Sequence, residues 1–537
     1  MASQPSTTWS TPPPLHSGDL AAVVAPSSGA ATFFPHCREQ GLARLRSEFG
    51  LEALAMPSAG DDRDKSPSAR ALDLLLAFED DTVRCVVCTI GGDDLVRVIP
   101  YLLREGMSRG GEVQRSLPSI LAAGGSSRHK FLLGFSDITA LHLLLWKCRV
   151  KSMYGGTLLC QFAVGADSAA GHGSGKGGGE EGGGEGGGEG RPAQMHLYTL
   201  RSMRAALFRT GDNQPAAAAT AGSAATAAAG AASFEASPAA SFLDGYPDWS
   251  DPSNLCRSAP MEPNGEGWIW NDAWGRAGAS MGSGARRGDD NGDCDDHGDC
   301  GGDGKSGGDG GDGGEQDQQG DRQKGTDEQT DESAARRVRG RLWGGCLSSL
   351  YKVLACGPLL TQALVPTAEE LDGCVLFVET SESMPSSNTV YDFFAALGER
   401  DLLGCFAAVM VGRPQTMDQG RVPPEGRAEY RILQRGAIQR AVDEYVNEPR
   451  EDAGRVDGGV GGEGRAGWAA KVPIVFNVEF GHTNPQLLVP SGGYVVLDGA
   501  SRSIVFEYGE DEGEEDGSGS VVGGGRGDGG GDSDAKL

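Results

Sequence analysis

The sequence lacks several features that would place it in particular classes of protein. It has no run of eighteen apolar residues, so it offers no candidate for a membrane-spanning helix. It has 47 lysines and arginines against 75 aspartates and glutamates, a formal net charge of −28, and no clustered basic face. We therefore expect neither nucleic acid nor an anionic membrane as a partner. No secretory signal peptide is recognisable and the twelve cysteines are scattered, which favours a cytoplasmic protein.

Glycine, in contrast, is abundant, with 86 residues in a chain of 537. It is concentrated with acidic residues in tracts at about 166–192 and 275–335 and in the tail, 509–537, while alanine and serine fill 214–241. Such segments cannot bury a core, and we predict that they are disordered insertions in surface loops and a disordered tail. The glycine-rich acidic tracts and the tail carry roughly twenty of the net negative charges, so the charge says little about the substrate.

The remaining sequence predicts an α/β fold in two domains. From 15 to 165, strands alternate with helices, which indicates a mostly parallel sheet covered by helices on both faces. From 340 to 508, five apolar runs and two helical stretches indicate a β-rich C-terminal domain. The segment 166–339 between them holds the insertions, with ordered islands at 195–210 and 246–274.

Ser136 is the strongest candidate for a nucleophile. It lies between an apolar run at 130–133, typical of a buried strand, and a stretch at 140–146, typical of a helix. Gly134 permits a sharp turn that would expose the Ser136 hydroxyl at the positive end of the helix. Ile138 stands where the familiar motif has a second glycine. The alternative is that Ser136 merely begins a capped helix.

A second tight turn follows the predicted strand at 83–88 and contains Gly92 and Asp93. The backbone amide of Gly92 or Asp93, together with that of Asp137, could hold the oxyanion of an acyl-transfer reaction. The alternative is a simple turn and cap leading into the helix predicted at 95–103.

His482 is the best placed of the eight histidines to act as a base. It lies in an irregular turn beyond the strand predicted at 473–477, where a side chain can project into a cleft. Glu379 ends another apolar run, 374–378, and could orient the imidazole and stabilise its charged form while it takes the Ser136 proton. A glutamate at a strand end is otherwise an ordinary solvated residue.

The cysteines give no reason to expect a metal or a cofactor. Cys85 and Cys88 are three residues apart on a predicted strand, so they face opposite sides and are interpreted as two buried thiols. The segment 294–300 contains cysteines, aspartates and a histidine, but it lies in an acidic linker without a folded frame.

Six segments occur in an order that resembles the LD-carboxypeptidase family of serine peptidases, which includes the microcin C self-immunity proteins. They are 18–29, Gly91-Gly92, 134–142, Gly344-Gly345, Phe377-Val378-Glu379 and 481–485. The resemblance spans about 15–506. It implies that Ser136 is the nucleophile, Glu379 the orienting carboxylate and His482 the general base, with the Gly92 and Asp137 amides in the oxyanion hole. It also implies an α/β N-terminal domain, a smaller β-rich C-terminal domain and a homodimer.

The sequence departs from this family in one motif. Cys346 stands where the family often has an asparagine after the glycine pair, which removes any hydrogen bond made by that amide. The segment 265–271 resembles the tryptophan-bearing loop of the self-immunity branch. Trp268 and Trp270 are therefore candidates to stack on a flat substrate group, with Asp93 as a further substrate contact. Both indoles could equally be packing anchors.

These features together predict a metal-independent serine hydrolase that releases a terminal amino-acid unit from a small substrate. A murein-type peptide and a peptidyl or aminoacyl nucleotide analogue are both compatible with the resemblance. The alternative is a catalytically silent binding or scaffold protein on the same fold. A glutaminase-like enzyme with a cysteine nucleophile is disfavoured, because no cysteine occupies the turn at Ser136.

Overall fold

A computed structural model describes residues 8–60, 65–109, 112–123, 128–165, 194–209, 233–243, 245–256, 261–275, 336–416, 424–447 and 471–511. Most of the predicted insertions, the segment 294–300 and nearly all of the tail lie outside the described residues. Among the helices of the described part, none combines the length and the apolar character that crossing a bilayer requires.

Twelve α-helices occur in the described residues, and they flank the strands along both halves of the chain. They are α1 (Ala30–Phe33), α2 (Pro35–Ser47), α3 (Pro67–Glu79), α4 (Leu95–Leu102), α5 (Leu117–Ala123), α6 (Thr139–Lys147), α7 (Leu197–Phe208), α8 (Leu347–Leu354), α9 (Pro358–Leu364), α10 (Ala368–Leu371), α11 (Ser387–Gly398) and α12 (Arg427–Val442). Local sequence explains where several of these helices begin. Ser66 and Ser386, for example, cap α3 and α11, because each side chain accepts a backbone N–H of the first turn.

Strands from both halves of the chain alternate with these helices. They are β1 (Leu20–Val24), β2 (Glu52–Ala55), β3 (Val83–Cys88), β4 (Met107–Arg109), β5 (Glu112–Gln114), β6 (Phe131–Gly134), β7 (Ser152–Tyr154), β8 (Ser233–Ala236), β9 (Ser241–Phe242), β10 (Glu262–Pro263), β11 (Ile269–Trp270), β12 (Arg337–Cys346), β13 (Val375–Glu379), β14 (Ala408–Gly412), β15 (Ile474–Val478), β16 (Val489–Ser491), β17 (Tyr494–Asp498) and β18 (Ser503–Glu507).

The N-terminal half builds a six-stranded sheet in the order β16-β7-β6-β3-β1-β2. All neighbouring pairs are parallel except β16 with β7, which is antiparallel. Strands β3 and β6 are nearly continuous apolar runs because helices cover both faces of the sheet. The mostly parallel α/β sheet predicted from the sequence is confirmed, and β16, from the C-terminal half, completes its edge.

The C-terminal half builds an eight-stranded mixed sheet in the order β11-β15-β14-β13-β12-β17-β18-β8. Strands β12 to β15 are parallel, and the pairs on either side of them are antiparallel. The predicted β-rich second domain is thus confirmed. The islands supply α7 and the edge strand β11, so they are built into the fold rather than resting on it. The other edge strand, β8, comes from the end of the alanine- and serine-rich tract, so the prediction of disorder is wrong for 233–236, which pair with β18.

The two cysteines on β3 show how the sheet divides the core. Cys88 packs in the apolar cluster on one face of the sheet and Cys85 in the cluster on the other, as the strand alternation predicts. Both are free thiols, and burial raises the pKa of each well above its usual value. Their burial on opposite faces agrees with their interpretation as two buried thiols.

Candidate active site

Ser136 lies on a sharp turn at the carboxyl end of β6. Its backbone has φ of 65°, a left-handed conformation that is costly for a residue with a side chain, and a short 3-10 turn then leads into α6. A Cβ at Gly134 would lie 2.8 Å from Ile138, and one at Gly91 would lie 2.6 Å from the Ser136 Cβ. The turn therefore requires these glycines, and it turns the Ser136 side chain toward the glycine turn after β3.

Asp137 fixes this turn to the neighbouring segments. Its carboxylate accepts hydrogen bonds from the Ser27 hydroxyl at 2.6 Å and from the backbone N–H of Leu95 at 2.8 Å, which anchors the start of α4. Burial raises the pKa of Asp137, although these hydrogen bonds and Lys352 oppose the rise. The Asp137 amide lies 3.3 Å from the position of a Cβ on Gly91, so the glycine turn and this amide are adjacent.

Glu379 and His482 form a buried pair near the carboxyl ends of β13 and β15, two parallel strands that lie on either side of β14. Glu379 is the last residue of β13, and His482 follows β15 by four residues. The His482 Nδ1 lies 2.7 Å from Glu379 Oε2, and the His482 backbone N–H donates to the same oxygen at 3.2 Å. Gly481 has φ of 79°, and a Cβ there would overlap the Glu379 carboxylate. The interpretation of Glu379 as a solvated surface residue is thus wrong, because the side chain is buried.

Tyr154 joins this pair to the Ser136 turn, and the sequence analysis missed it. Its hydroxyl donates to Glu379 Oε1 at 2.6 Å and accepts the backbone N–H of Ser136 at 3.2 Å. Burial, together with the negative charge of Glu379, raises the pKa of Tyr154 well above its usual value, so the phenol stays protonated. The only sequence signal for Tyr154 is its place at the end of β7, next to the end of β6 in the same parallel sheet.

We predict that Tyr154→Phe lowers kcat by roughly 10- to 100-fold and destabilises the fold by about 1–3 kcal/mol. The substitution leaves a buried Glu379 oxygen and the Ser136 amide without their shared partner, and a buried group left unpaired loses its full desolvation energy. Steady-state kinetics and thermal unfolding would measure both effects. Tyr351→Phe on the exposed side of α8 is the matched control. An unchanged kcat in Tyr154→Phe would contradict this role.

The second ring nitrogen of His482 faces another carboxylate. Nε2 lies 2.9 Å from Glu382 Oε2, and the Glu382 side chain is 59% exposed whereas that of His482 is 5% exposed. Burial alone would lower the pKa of His482, but Glu379 and Glu382 outweigh it and raise this pKa to about 10. Although burial opposes it, the same contact lowers the pKa of Glu382 to about 2. In this arrangement His482 is an imidazolium at neutral pH, with both N–H groups donating to carboxylates.

Ser136 and His482 open into one cavity of about 890 Å3 between the two halves of the chain. Its wall includes Gly91, Gly92 and Glu382, with Phe135 packed edge-on against the imidazole at 4.9 Å between ring centroids. No hydrogen bond joins the Ser136 hydroxyl to the imidazole among the described residues, since Glu382 occupies Nε2. The structure thus places Ser136 and His482 on one cavity, with Glu379 bound to the His482 ring, and the serine and histidine side chains are not hydrogen-bonded to each other.

The two tryptophans singled out from the sequence do not line this cavity. Trp268 is buried and donates its indole N–H to Glu479 at 2.7 Å, and Trp270 packs edge-on against Trp274 at 4.8 Å. Both are packing anchors, which corrects their assignment as substrate contacts. Asp93 is also absent from the cavity wall: it is 95% exposed and pairs with Lys352 at 3.2 Å.

Two other aromatic residues of the same island line the cavity instead. Tyr246 and Trp249 lie on its wall, with Phe34 from the N-terminal half. The ring of Trp249 lies 5.5 Å from that of Phe34 and 6.0 Å from that of Tyr246, measured between centroids. The aromatic composition of the island could have suggested them, but nothing in the sequence distinguishes the residues that face the cavity from those that pack.

The glycine pair and Cys346 bring the two sheets together behind the serine. A Cβ at Gly345 would lie 2.5 Å from Thr139, and the Cys346 backbone N–H donates to the Thr139 hydroxyl at 2.9 Å. The Thr139 hydroxyl in turn donates to the Ser136 carbonyl at 2.6 Å. This close contact between β12 and α6 places the end of β13, and with it Glu379, beside the Ser136 turn.

Cys346 also approaches the Glu379–His482 pair. Ligand atoms of these three buried residues lie within 4.8 Å of one another, close enough that they could in principle share a metal ion. However, burial and the charge of Glu379 raise the pKa of the Cys346 thiol well above its usual value, and His482 already donates to Glu379. As the chain stands, this thiol is a neutral neighbour of the pair.

His142, on the helix after Ser136, has a structural role. One ring nitrogen contacts the Ser152 hydroxyl at 2.7 Å and the other the Gly134 carbonyl at 2.9 Å. Burial lowers the pKa of His142 to about 4, so the ring is neutral and its Nε2–H donates to the carbonyl. It holds β6 and β7 together below the turn.

Two family models match the chain, one for each half. The LD-carboxypeptidase N-terminal domain matches residues 21–155, and the LD-carboxypeptidase C-terminal domain matches residues 339–450. Among curated proteins, a Vibrio cholerae protein that is provisionally named as a carboxypeptidase is 29% identical over 152 residues. The match covers 28% of this chain and 40% of that relative, which is less than half of its length.

Solved structures of similar fold cover most of the chain. A MccF-like protein from Streptococcus pneumoniae, in complex with AMP, is 20% identical with a TM-score of 0.55, covering 91% of this chain and 99% of that one. The microcin C7 self-immunity protein MccF, in complex with aspartyl sulfamoyl adenosine, is 15% identical with a TM-score of 0.54, covering 93% and 98%. At these identities the likeness shows the fold.

Proposed function

We propose, since the chain belongs to the LD-carboxypeptidase family, that it is a serine hydrolase that cleaves an amide bond and releases a terminal amino-acid unit. The observation that carries this proposal is the 2.7 Å contact between Glu379 and His482, because His482 lines the same cavity as Ser136 on its strained turn. A serine at a helix start, a histidine and a carboxylate that orients it are the components of acyl transfer through a covalent intermediate.

In the proposed reaction, Glu379 holds the His482 ring by Nδ1 while Nε2 takes the proton of the Ser136 hydroxyl. The Ser136 oxygen attacks the substrate carbonyl, and the amides of Gly92 and Asp137 hold the oxyanion. Protonated His482 then gives its proton to the leaving amine. Water, deprotonated by the same ring, releases the acyl group and restores Ser136. Every step uses side chains and amides of this chain.

This reaction requires three changes from the arrangement described above. The Nε2 of His482 must lose the Glu382 carboxylate and release its proton to solvent before it can act as a base, and Ser136 must come within hydrogen-bonding reach of it. Both groups already border the same cavity, and catalytic hydrogen bonds often form only when substrate is bound. The exposed Glu382 side chain is the part that can move.

We propose two substrate classes that the fold likeness supports: an LD-linked murein-type tetrapeptide and an aminoacyl or peptidyl nucleotide analogue. The cavity is large enough for either, since sites for small molecules typically have volumes of about 300–1,000 Å3. Its aromatic wall, formed by Phe34, Tyr246 and Trp249, favours a substrate with a flat or apolar portion. A cytoplasmic location and assembly as a homodimer remain predictions.

The test is to incubate the purified full chain with an LD-linked tetrapeptide and, separately, with an acyl-sulfamoyl adenylate. Mass spectrometry would show which compound loses its terminal unit. We expect one of the two to be cleaved by the native chain and neither by Ser136→Ala. If both compounds stay intact under conditions in which the native chain binds them, the hydrolase proposal is wrong and the chain is a binding protein on the same fold.

A further inference from the structure

The cavity wall combines aromatic faces with negative charge. Asp248 and Glu382 border the space that Phe34, Tyr246 and Trp249 enclose, and the described residues of the wall include no lysine or arginine. Hydrogen bonds from Ser250 lower the pKa of Asp248, so this carboxylate is ionised at neutral pH. Aromatic faces beside carboxylates form an environment that favours a cation.

The aromatic wall is held in place rather than being a loose surface loop. His36, on α2, donates from Nε2 to the Trp249 carbonyl at 2.8 Å, which ties the island to the N-terminal half. The Asp248 carbonyl accepts the Asn254 side-chain amide at 2.8 Å, and the Asp248 carboxylate accepts the Ser250 backbone N–H at the same distance. Rings and a carboxylate fixed in this way can recognise a ligand without a large cost of ordering.

Glu382 links the cavity wall to the catalytic histidine. Its carboxylate lies 2.9 Å from Nε2 of His482 and occupies the nitrogen that must accept the Ser136 proton in the proposed reaction. The imidazolium is at present the cation that Glu382 neutralises. A cation delivered by a ligand would give Glu382 another partner, and His482 could then release a proton and work as a base.

We propose that the cavity selects a substrate that carries an ammonium or similar cationic group, and that pairing of this group with Glu382 frees the His482 Nε2 for Ser136. Glu382 is thus a specificity-determining and positioning residue. This inference rests on the proposed hydrolase function for its second part, while selection of a cation can be measured without turnover.

The test uses two LD-linked tetrapeptides that differ only in the residue before the scissile bond, lysine in one and norleucine in the other. Binding is measured by calorimetry on the full chain carrying Ser136→Ala, and turnover on the chain with Ser136 present. We expect the lysine peptide to bind about 10-fold more tightly and to have the higher kcat/KM. Glu382→Gln should reduce the preference for binding the lysine peptide to about 2-fold or less. It should also reduce the difference in kcat/KM between the two peptides, because kcat for the norleucine peptide rises when no carboxylate blocks Nε2.

Glu52→Gln, an exposed glutamate on the edge strand β2, is the matched control and should keep the full preference. Equal binding of the two peptides, or a preference that survives Glu382→Gln, would overturn the inference. A preference in binding without any turnover would support cation selection and contradict the proposed hydrolase function. Failure of the cation-selection inference can therefore be told apart from failure of the proposed function.

Discussion

Ser136→Ala is expected to lower the hydrolytic rate by about 10³-fold or more, with no change in the fold. The hydroxyl is the atom that attacks the substrate carbonyl, and the remaining oxyanion hole and binding groups cannot replace it. The backbone at this position already has a positive φ with a Cβ in place, so alanine adds no strain. Single-turnover and steady-state assays on whichever of the two proposed compounds the native chain cleaves would measure the loss.

Ser501→Ala, in the exposed turn between β17 and β18, is the control for this substitution and should leave the rate unchanged. Binding of substrate to the Ser136→Ala chain should also survive, since the serine contributes to the chemical step more than to the cavity wall. A rate that falls by less than about 10-fold would mean that another group attacks the substrate.

Glu379→Gln should lower kcat by roughly 10³- to 10⁴-fold. The carboxylate uses both oxygens: Oε1 accepts from the Tyr154 hydroxyl, and Oε2 accepts from Nδ1 and the backbone N–H of His482. A glutamine offers only one oxygen, so its amide NH2 must face either the tyrosine hydroxyl or the histidine N–H. The imidazole then loses its orientation or its tautomer, and it also loses the charge that stabilises its protonated form.

Glu399→Gln provides a closely matched comparison. Glu399 also accepts a hydrogen bond from a tyrosine, Tyr445, at 2.9 Å, but on the exposed side of the C-terminal half. Its substitution should leave kcat unchanged. If Glu379→Gln retained more than about a tenth of the native kcat, the proposed role of Glu379 in orienting His482 would be wrong.

The sequence predicted the elements that follow from local periodicity and strand-end chemistry. Ser136, Glu379 and His482 each lie at or just beyond the end of an apolar strand, where side chains reach the carboxyl edge of a parallel sheet. Ser136 belongs to the six-stranded sheet and the other two to the eight-stranded sheet. It was therefore the family resemblance, and not strand periodicity, that predicted one site for residues up to 346 positions apart. The alternation on β3 likewise placed Cys85 and Cys88 correctly on opposite faces.

What the sequence could not predict depends on long-range packing. Trp249 and Trp268 belong to the same island, and only the fold decides that the first lines the cavity while the second donates to Glu479. Tyr154 and Glu382 contact Glu379 and His482, which lie far from them in the sequence. No regular sequence spacing therefore identifies either residue. The strand β16 completes the N-terminal sheet from the other half of the chain, a pairing that no local pattern indicates.

The central claim is that Ser136 is a nucleophile made reactive by the histidine and carboxylate beside it. The most direct measurement is to label the native chain with a fluorophosphonate and to map the adduct by mass spectrometry of the digested protein. We predict one stoichiometric adduct on the peptide containing Ser136, and little or none after Glu379→Gln. A native chain that gives no adduct at Ser136, or labels equally well after that substitution, would contradict the account.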